Sequence, residues 1–406
     1  METHSSVRRH RIVFITSNTT WGGSEELWSA SAAELAAAGH EITIFKEGIR
    51  DDAPRLTELR ALGCRIHDLG RVPFLPAFVS AWIARFTIPY YGQQLVRLRF
   101  LLRYVLRPDL VVISQGGNLD GMFLAGICRR LGLRYVLIVQ KASDMYWPHD
   151  LQLAKLRDIY SDALGCYFVS EHNRRLTEEQ LGVELPRATI VRNPFLVPFT
   201  PRHDWPEQRD AMRLACVGRL YPKEKGQDLL LRVLARLKWR ARPLSITFFG
   251  EGPNRAGLEE MAKHHRLTSV SFAGFVEDVS SIWNDHHGLV LASRCEGLPL
   301  VLVEAMLSGR VPIVTNVAGN GEVVTDDVTG FLASAATEDA VDEALERAWQ
   351  RRDEWRAIGA RAATHIRTLV PESPGAELAA TLLRIANIGD AVPLLDEEPD
   401  AVASAM

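Results

Sequence analysis

Short apolar runs alternate with amphipathic helical stretches along this chain, and the series occurs twice. In the first half, Arg11–Thr16, Glu41–Phe45, Leu110–Ile113 and Tyr135–Val139 read as buried strands, with helical patterns over Ser24–Ala38 and Asp120–Leu131. In the second half, Arg213–Val217, Leu244–Phe249, Ser271–Phe272, Gly288–Leu291 and Val311–Val314 read as strands, most of them separated by helical patterns. When each strand returns to its sheet through a helix, the sheet is parallel and covered on both faces. Two such series in 406 residues predict two Rossmann-like, doubly wound α/β domains facing a central cleft. Pro194, Pro198, Pro201 and Pro206 crowd the stretch Asn193–Arg213, which marks the link, because proline lacks an amide donor and disfavours regular structure. The expected domains are 1–195 and 196–375. Ligands of such folds bind outside the carboxyl ends of the strands, in the crevice between domains.

Composition narrows the chemistry. A hydrophobic fraction of 47% and a charged fraction of 24% are ordinary for a globular protein, and a net charge of −3 argues against nucleic acid as partner. Cys64, Cys128, Cys166, Cys216 and Cys295 are scattered and form no Cys-x-x-Cys pair, so neither a disulfide framework nor a zinc cage is expected and a reducing cytoplasm is the natural compartment. Cys295 reads as a small filler rather than a nucleophile. The apolar run Ile12–Ile15 is too short for a signal-peptide core, and no run approaches the ~20 residues that span a bilayer. The stretch 71–108 stands apart. It holds Arg71, Arg85, Arg97, Arg99, Arg103 and Arg107, no acidic residue, and interleaved aromatics such as Phe74, Trp82 and Tyr90. Two readings fit it: a helix lying on an anionic membrane surface, or a core helix with a solvated arginine face.

The block Glu296-Gly-Leu-Pro-Leu-Val-Leu-Val-Glu304 carries the most chemistry. Glu296 falls at the carboxyl end of a strand, where ligands bind. Pro299 suits the first helical position. The helix that follows is apolar nearly all round and therefore buried. Glu304 is then a lone acid in a buried helix, and an unpaired buried carboxylate costs several kcal/mol. Hydroxyls of a ligand would satisfy it; a nearby arginine or backbone amide is the alternative. The two acids lie at most ~12 Å apart along a helix, a reach that suits two ends of one sugar nucleotide, and the helix start between them offers N–H groups to phosphate.

Three other segments support this block. In Cys216-Val-Gly-Arg219-Leu-Tyr-Pro-Lys-Glu-Lys225-Gly226, a loop with three cations separates a strand from a helix, and Arg219 and Lys225 suit a pyrophosphate clamp. In Asn18-Thr-Thr-Trp-Gly22-Gly23-Ser24-Glu25-Glu26, paired glycines let the backbone approach a ligand, although Ser24 suits a helix cap equally well. Gly250-Glu-Gly252-Pro253 lacks the full dinucleotide fingerprint and reads as a turn near the nucleotide. The pairs His264-His265 and His286-His287 cannot face one metal from adjacent helical positions. The sequence contains no Asp-x-Asp, so no carboxylate-held divalent ion is indicated.

Taken in order, Gly218-Arg219, Phe249-Gly-Glu-Gly-Pro253, Phe272-Ala-Gly-Phe275, Ser293-Arg-Cys-Glu296-Gly, Glu304-Ala-Met and Asp327-Val-Thr-Gly330-Phe331 resemble the retaining GT-B glycosyltransferases of family 4, the group 1 glycosyltransferases. The resemblance runs from Ile12 to about Leu382. It implies transfer of a hexose-type sugar from a UDP- or GDP-linked donor to a saccharide or lipid-linked saccharide, in cell-surface polysaccharide or glycolipid synthesis, without a metal. It assigns catalysis to Glu296, Arg219 and Lys225. Arg219 and Lys225 would bind the diphosphate, Glu296 the donor sugar, Glu304 the ribose, and the backbone at Leu300 and Val301 a phosphate. Gly22 and Gly23 would approach the donor from the first domain, with Gly250 and Phe275 also on the donor side. A helix over 376–391 would cross back to the first domain, leaving 392–406 as a disordered tail. One departure is clear. Many relatives carry a histidine after the strand that here reads Tyr135–Val139, and this chain has Gln140-Lys141-Ala-Ser-Asp144. Gln140 donates a hydrogen bond but cannot act as a base. Gln140, Lys141, Asp144 and His172 are the acceptor-side candidates, with His149 in reserve. An epimerase or phosphorylase on the same fold, or a non-catalytic binding subunit, are the competing readings. The expected location is the cytoplasm, with peripheral contact to the inner membrane face through 71–108.

Overall fold

The computed structural model describes residues 8–19, 21–49, 53–69, 98–200, 203–207 and 211–388. Among these, one sheet comprises β1 (Arg11–Thr16), β2 (Glu41–Lys46), β3 (Arg65–Asp68), β4 (Leu110–Gln115), β5 (Tyr135–Val139), β6 (Cys166–Phe168) and β7 (Ala188–Ile190), in the order β3-β2-β1-β4-β5-β6-β7. A second comprises β8 (Met212–Val217), β9 (Leu244–Phe249), β10 (Val270–Gly274), β11 (Gly288–Leu291), β12 (Val311–Thr315) and β13 (Phe331–Ala333), in the order β10-β9-β8-β11-β12-β13. Every pairing is parallel. The chain therefore adopts the expected pair of doubly wound α/β sheets, each with its switch point beside a first strand, β1 or β8.

Strand side chains alternate between the two faces of a sheet. In the first sheet Val13, Ile15, Val111, Ile113, Leu137 and Val139 pack into one buried cluster, while Ile12, Phe14, Ile44, Val112, Val136 and Ile138 pack into another. Burial on both sides is why these strands read as continuous apolar runs.

The sequence reading missed four strands: β3, β6, β7 and β13. Each has three or four residues, too few for an apolar run to stand out. β3 offers one apolar residue, Ile66, and forms by pairing along β2. The helix expected from Asp120 begins at Met122, because Gly121 sits in the left-handed region at φ 64°. Residues 71–97 of the basic, aromatic stretch lie outside the described residues. Its remainder runs as helix over 98–100 into a π-helix at Leu101–Leu106, burying Leu98 and Leu102 and exposing Phe100 and Tyr104.

The helix Pro374–Ile388 returns to the first sheet. Leu378, Ala379 and Leu382 join the cluster that holds Ile12 and Phe14. Arg134 donates to the carbonyls of Ile385 and Ala386, a cation placed where the helix dipole favours one. Between Ile190 and Met212 the described residues form neither helix nor strand.

Candidate active site

The loop that leaves β8 is forced against the end of β11. Gly226 has φ 63°, and a Cβ there would lie 1.8 Å from the carbonyl oxygen of Ala292, so only glycine fits. This contact sets Lys225 opposite Glu296. The Lys225 Nζ donates to both carboxylate oxygens, at 2.8 and 2.7 Å, and Ser293 Oγ donates to Oε1 at 2.8 Å. Glu296 is buried, whereas Lys225 keeps a quarter of its side chain in solvent. Arg219 stacks over Tyr221, with its guanidinium carbon 5.0 Å from the ring centroid, and donates to Glu224 Oε2 at 2.9 Å. The backbone carbonyl of Glu224 accepts from the amides of Arg294 and Cys295, which fastens the cation loop to the loop carrying Glu296.

The helix after this loop spans Leu300–Leu307, with Pro299 as its extended N-cap rather than its first helical residue. Glu304 is buried within it, as expected. It is not without a protein partner, however: the amide of Leu196, in the proline-rich link, donates to Oε1 at 2.9 Å. Burial raises the Glu304 carboxyl to about 7, against the pull of the Leu196 amide and with some help from the negative Glu26. Of the two ways offered for satisfying Glu304, ligand hydroxyls or a nearby arginine or backbone amide, the structure supplies the backbone amide at one oxygen.

From the first lobe, Gly23 approaches this helix closely. A Cβ on Gly23 would lie 2.7 Å from Leu300 Cδ1, whereas one on Gly22 would meet nothing within 4 Å. Behind the glycines, Glu25 is buried and accepts from Thr16 Oγ1 and Asn18 Nδ2 at 3.1 and 2.9 Å, and Lys46 donates to the Asn18 carbonyl at 2.6 Å. This network fixes the loop's entry into its helix.

The wall opposite Glu296 is the segment after β5. A Cβ on Gly297 would lie 2.0 Å from the Gln140 carbonyl oxygen, so the two backbones touch. Gln140 is buried, and its Oε1 accepts from Asn193 Nδ2 at 2.7 Å. Gln140 Nε2 and Asn193 Oδ1, the other ends of the two amides, are buried with no partner among the described residues. A buried polar group left unpaired costs about 1–3 kcal/mol, so such ends call for an ordered water or a polar ligand group. Lys141 does not point into open cleft; its Nζ donates to Glu224 Oε1 at 2.8 Å, across the two lobes. Asp144 and His172 line a cleft of about 390 Å³, together with Arg175 and Glu179 of the first lobe and Asn316 and Glu322 of the second.

The structure thus gathers Arg219, Lys225, Glu296, Gln140 and Lys141, and sets Gly23 against Leu300 at the helix carrying Val301 and Glu304. Gly250, at φ 122°, is fixed by packing: its Cβ would lie 2.3 Å from the Gly218 carbonyl oxygen. Phe275 is exposed beyond β10, two strands away from β8. Glu224, Ser293 and Asn193 were missed in the sequence. The one available signal was an acid at Glu224 between Lys223 and Lys225. His286 and His287 serve packing: His287 Nδ1 accepts from the Arg213 amide at 3.0 Å, and His286 Nδ1 lies 2.8 Å from the Ile282 carbonyl oxygen. Among the described residues, no group of three or more His, Cys, Asp or Glu side chains is placed to hold a metal ion.

Comparison with known proteins agrees with this fold. Residues 22–194 match the model of a glycosyl transferase 4-like domain, and residues 211–351 that of glycosyl transferases group 1. The chain is 30% identical over 289 residues to the GDP-mannose-dependent alpha-(1-6)-phosphatidylinositol monomannoside mannosyltransferase of Mycobacterium tuberculosis, covering 65% of this chain and 72% of that protein. It is 28% identical over 329 residues to the phosphatidylinositol N-acetylglucosaminyltransferase GPI3 subunit of Saccharomyces cerevisiae, covering 76% and 68%. Its fold is similar to that of Anabaena Alr3699/HepE, solved in complex with UDP-glucose. The TM-score is 0.71 at 15% identity, over 93% of this chain and all of the other.

Proposed function

The chain belongs to the group 1 glycosyltransferase family, and on that premise we propose that it moves a hexose-type sugar, with retention of configuration, from a UDP- or GDP-linked donor to a saccharide or lipid-linked saccharide. The observation that carries this reading is the Lys225–Glu296 pair at the carboxyl end of β11, with the buried Gln140 Nε2, unpartnered among the described residues, on the facing wall.

In this reading 1–195 serves the acceptor and 196–375 the donor, with 376–391 tying the two and 392–406 as a tail. Arg219 and Lys225 meet the diphosphate charge in place of a bound divalent ion. Glu296 accepts hydroxyls of the donor sugar, and Glu304 those of the ribose. Amides at Leu300 and Val301 face a phosphate, Gly22 and Gly23 border the donor, and Gly250 and Phe275 flank the nucleotide. The acceptor hydroxyl attacks C1 on the face from which the diphosphate leaves. The C1–O bond to phosphate breaks as the C1–O bond to the acceptor forms. The hydroxyl proton passes to the departing phosphate oxygen, so Gln140 is needed only as a hydrogen-bond donor. The relatives named for phosphatidylinositol-linked acceptors support a role in glycolipid or cell-surface polysaccharide synthesis. The stretch 71–108 is then the contact with the cytoplasmic membrane face.

The test is incubation with UDP- and GDP-sugars, with and without acceptor glycosides. Nucleotide release and the anomeric coupling of the product by NMR are the readouts. Acceptor-dependent release with a retained anomer supports the reading. Failure to bind any nucleotide sugar or nucleoside diphosphate sinks the donor site, and an acceptor-independent change in the sugar nucleotide would point to an epimerase.

A further inference from the structure

We propose that the turn Asp144-Met-Tyr-Trp147 is the acceptor platform, stacking a sugar ring on Tyr146 and Trp147 and taking its hydroxyls into the adjoining cleft; this rests on the transferase reading above. Three consecutive large side chains, Met145, Tyr146 and Trp147, are 42%, 44% and 62% exposed. Exposed apolar side chains scattered singly need no explanation, but a contiguous set on a rigid turn marks a binding surface.

The turn is rigid because a buried polar network holds it. The Tyr146 amide donates to the Ser143 carbonyl at 3.1 Å. Gln180 Nε2 donates to the carbonyls of both Ser143 and Tyr146, each at 3.0 Å. Gln180 Oε1 accepts from Asn118 Nδ2 at 2.7 Å, and the same Asn118 nitrogen donates to Thr177 Oγ1 at 3.0 Å. Satisfied buried networks of this kind fix one conformation. Tyr and Trp on a fixed backbone offer large, amphipathic contact area at little entropic cost.

The turn also stands in the right place. It continues the wall on which Gln140 touches Gly297 and Lys141 pairs with Glu224. The Tyr146 ring centroid lies 5.4 Å from Lys223 Nζ, in the loop that carries the proposed diphosphate clamp. Tyr146 therefore flanks the mouth of the donor site, with Trp147 next to it in the chain. Asp144 leads from them into the 390 Å³ cleft lined by His172, Glu179, Asn316 and Glu322. That volume falls in the range of small-ligand sites. Carboxylates, an imidazole and an amide beside an aromatic face suit hydroxyls above and the C–H face of a sugar below. Asp144, Glu171, Glu179 and Glu322 outnumber Arg175 in that lining, which disfavours an anionic lipid surface.

Saturation-transfer NMR and fluorescence titration in the presence of UDP or GDP test the proposal. The probes are methyl and octyl α-glycosides of mannose, glucose, galactose and N-acetylglucosamine, and phosphatidylglycerol vesicles. We expect at least one glycoside to bind the parent protein, and Trp147→Ala to weaken it roughly tenfold. Asp144→Asn should weaken it several-fold, while nucleotide affinity stays within about twofold of the parent in both variants. Equal affinity for methyl and octyl forms assigns the platform to the sugar ring alone, and tighter octyl binding to a lipid-linked sugar. Nucleotide binding without binding of any glycoside, or a Trp147→Ala protein with parental glycoside affinity, overturns the platform and leaves the donor site standing. Loss of vesicle binding alone in Trp147→Ala overturns it in favour of a membrane contact. Absence of nucleotide binding overturns the transferase reading itself.

Discussion

Lys225 and Glu296 stand 71 positions apart in the chain and form one two-pronged ion pair, with the ammonium 2.8 and 2.7 Å from the two carboxylate oxygens. Lys225 ends a one-turn helix, Pro222–Lys225, and Glu296 lies in the loop after β11. Lys225 is placed by the backbone contact of Gly226 on Ala292, and Glu296 by Ser293 and the end of β11. A phosphate oxygen for Lys225 and a sugar hydroxyl for Glu296 would meet a pair already aligned. Lys225→Met and Glu296→Gln should each lower turnover at least ~100-fold, the usual loss when a transition-state contact is removed. Because the two act as a unit, the double variant should be little worse than either single one. Steady-state kinetics on the four proteins checks this; losses that multiply would mean that the residues work separately.

The paired glycines separate packing from ligand contact. A methyl at Gly22 has open space and extended backbone at φ −167°, which any residue adopts. A methyl at Gly23 meets the flexible end of Leu300 at 2.7 Å. Gly22→Ala should therefore keep the melting temperature of the parent. It should raise donor KM roughly tenfold if the donor passes over that backbone. Gly23→Ala should shift Leu300, lower the melting temperature and raise donor KM. Parental donor KM in Gly22→Ala would remove this residue from the donor site.

Glu304 links the site to pH. Its carboxyl is raised to about 7 from the ordinary 4.5 by burial, so the folded chain holds a proton that the unfolded chain releases in this window. Stability is then greatest below about pH 4.5 and falls as pH rises toward 7, by on the order of 3 kcal/mol from this group. Glu304→Gln should flatten that slope in urea unfolding measured across the window. The ionised form accepts from ribose hydroxyls more strongly than the neutral acid. Nucleoside diphosphate affinity of the parent should rise from about pH 6 to 8, and calorimetry on Glu304→Gln should show no such rise. A parent whose affinity is flat over that range would detach Glu304 from the ribose.

These effects differ in how far the sequence revealed them. The long strands were legible because burial on both faces makes β1, β4, β5 and β8 continuous apolar runs. β3, β6, β7 and β13 were not, since three or four residues become strands only when a neighbour supplies the ladder. Glu296, Arg219 and Lys225 were legible as charged residues at strand ends. Their partners were not. The Leu196 amide lies 108 positions from Glu304, and a backbone donor leaves no trace in residue type. Lys141 read as an acceptor contact because it follows the position where many relatives carry a histidine. That Glu224 takes it up is a product of how the two sheets meet.

Glu224 yields the last prediction, because it holds two cations from different lobes. Its Oε1 accepts from Lys141 at 2.8 Å and its Oε2 from Arg219 at 2.9 Å. Burial pushes the carboxyl up, but Lys141, then Arg219 and Lys225, outweigh it and hold the group below the ordinary carboxylate value. A depressed folded pKa gives stability that is present above the unfolded value and lost as pH falls through the folded one. Glu224→Gln should therefore lose less melting temperature than the parent on acidification from about pH 6 to 4. It should also leave Arg219 without its anchor and weaken nucleoside diphosphate binding several-fold. Lys141→Met removes the first-lobe partner and keeps Arg219 paired. If Glu224 transmits the position of the first lobe to the phosphate clamp, that variant should weaken nucleotide binding too, and its effect should not add to that of Glu224→Gln. Calorimetric titration of UDP and GDP against the parent, both single variants and the double decides this. Parental affinity in Lys141→Met would confine Glu224 to holding Arg219.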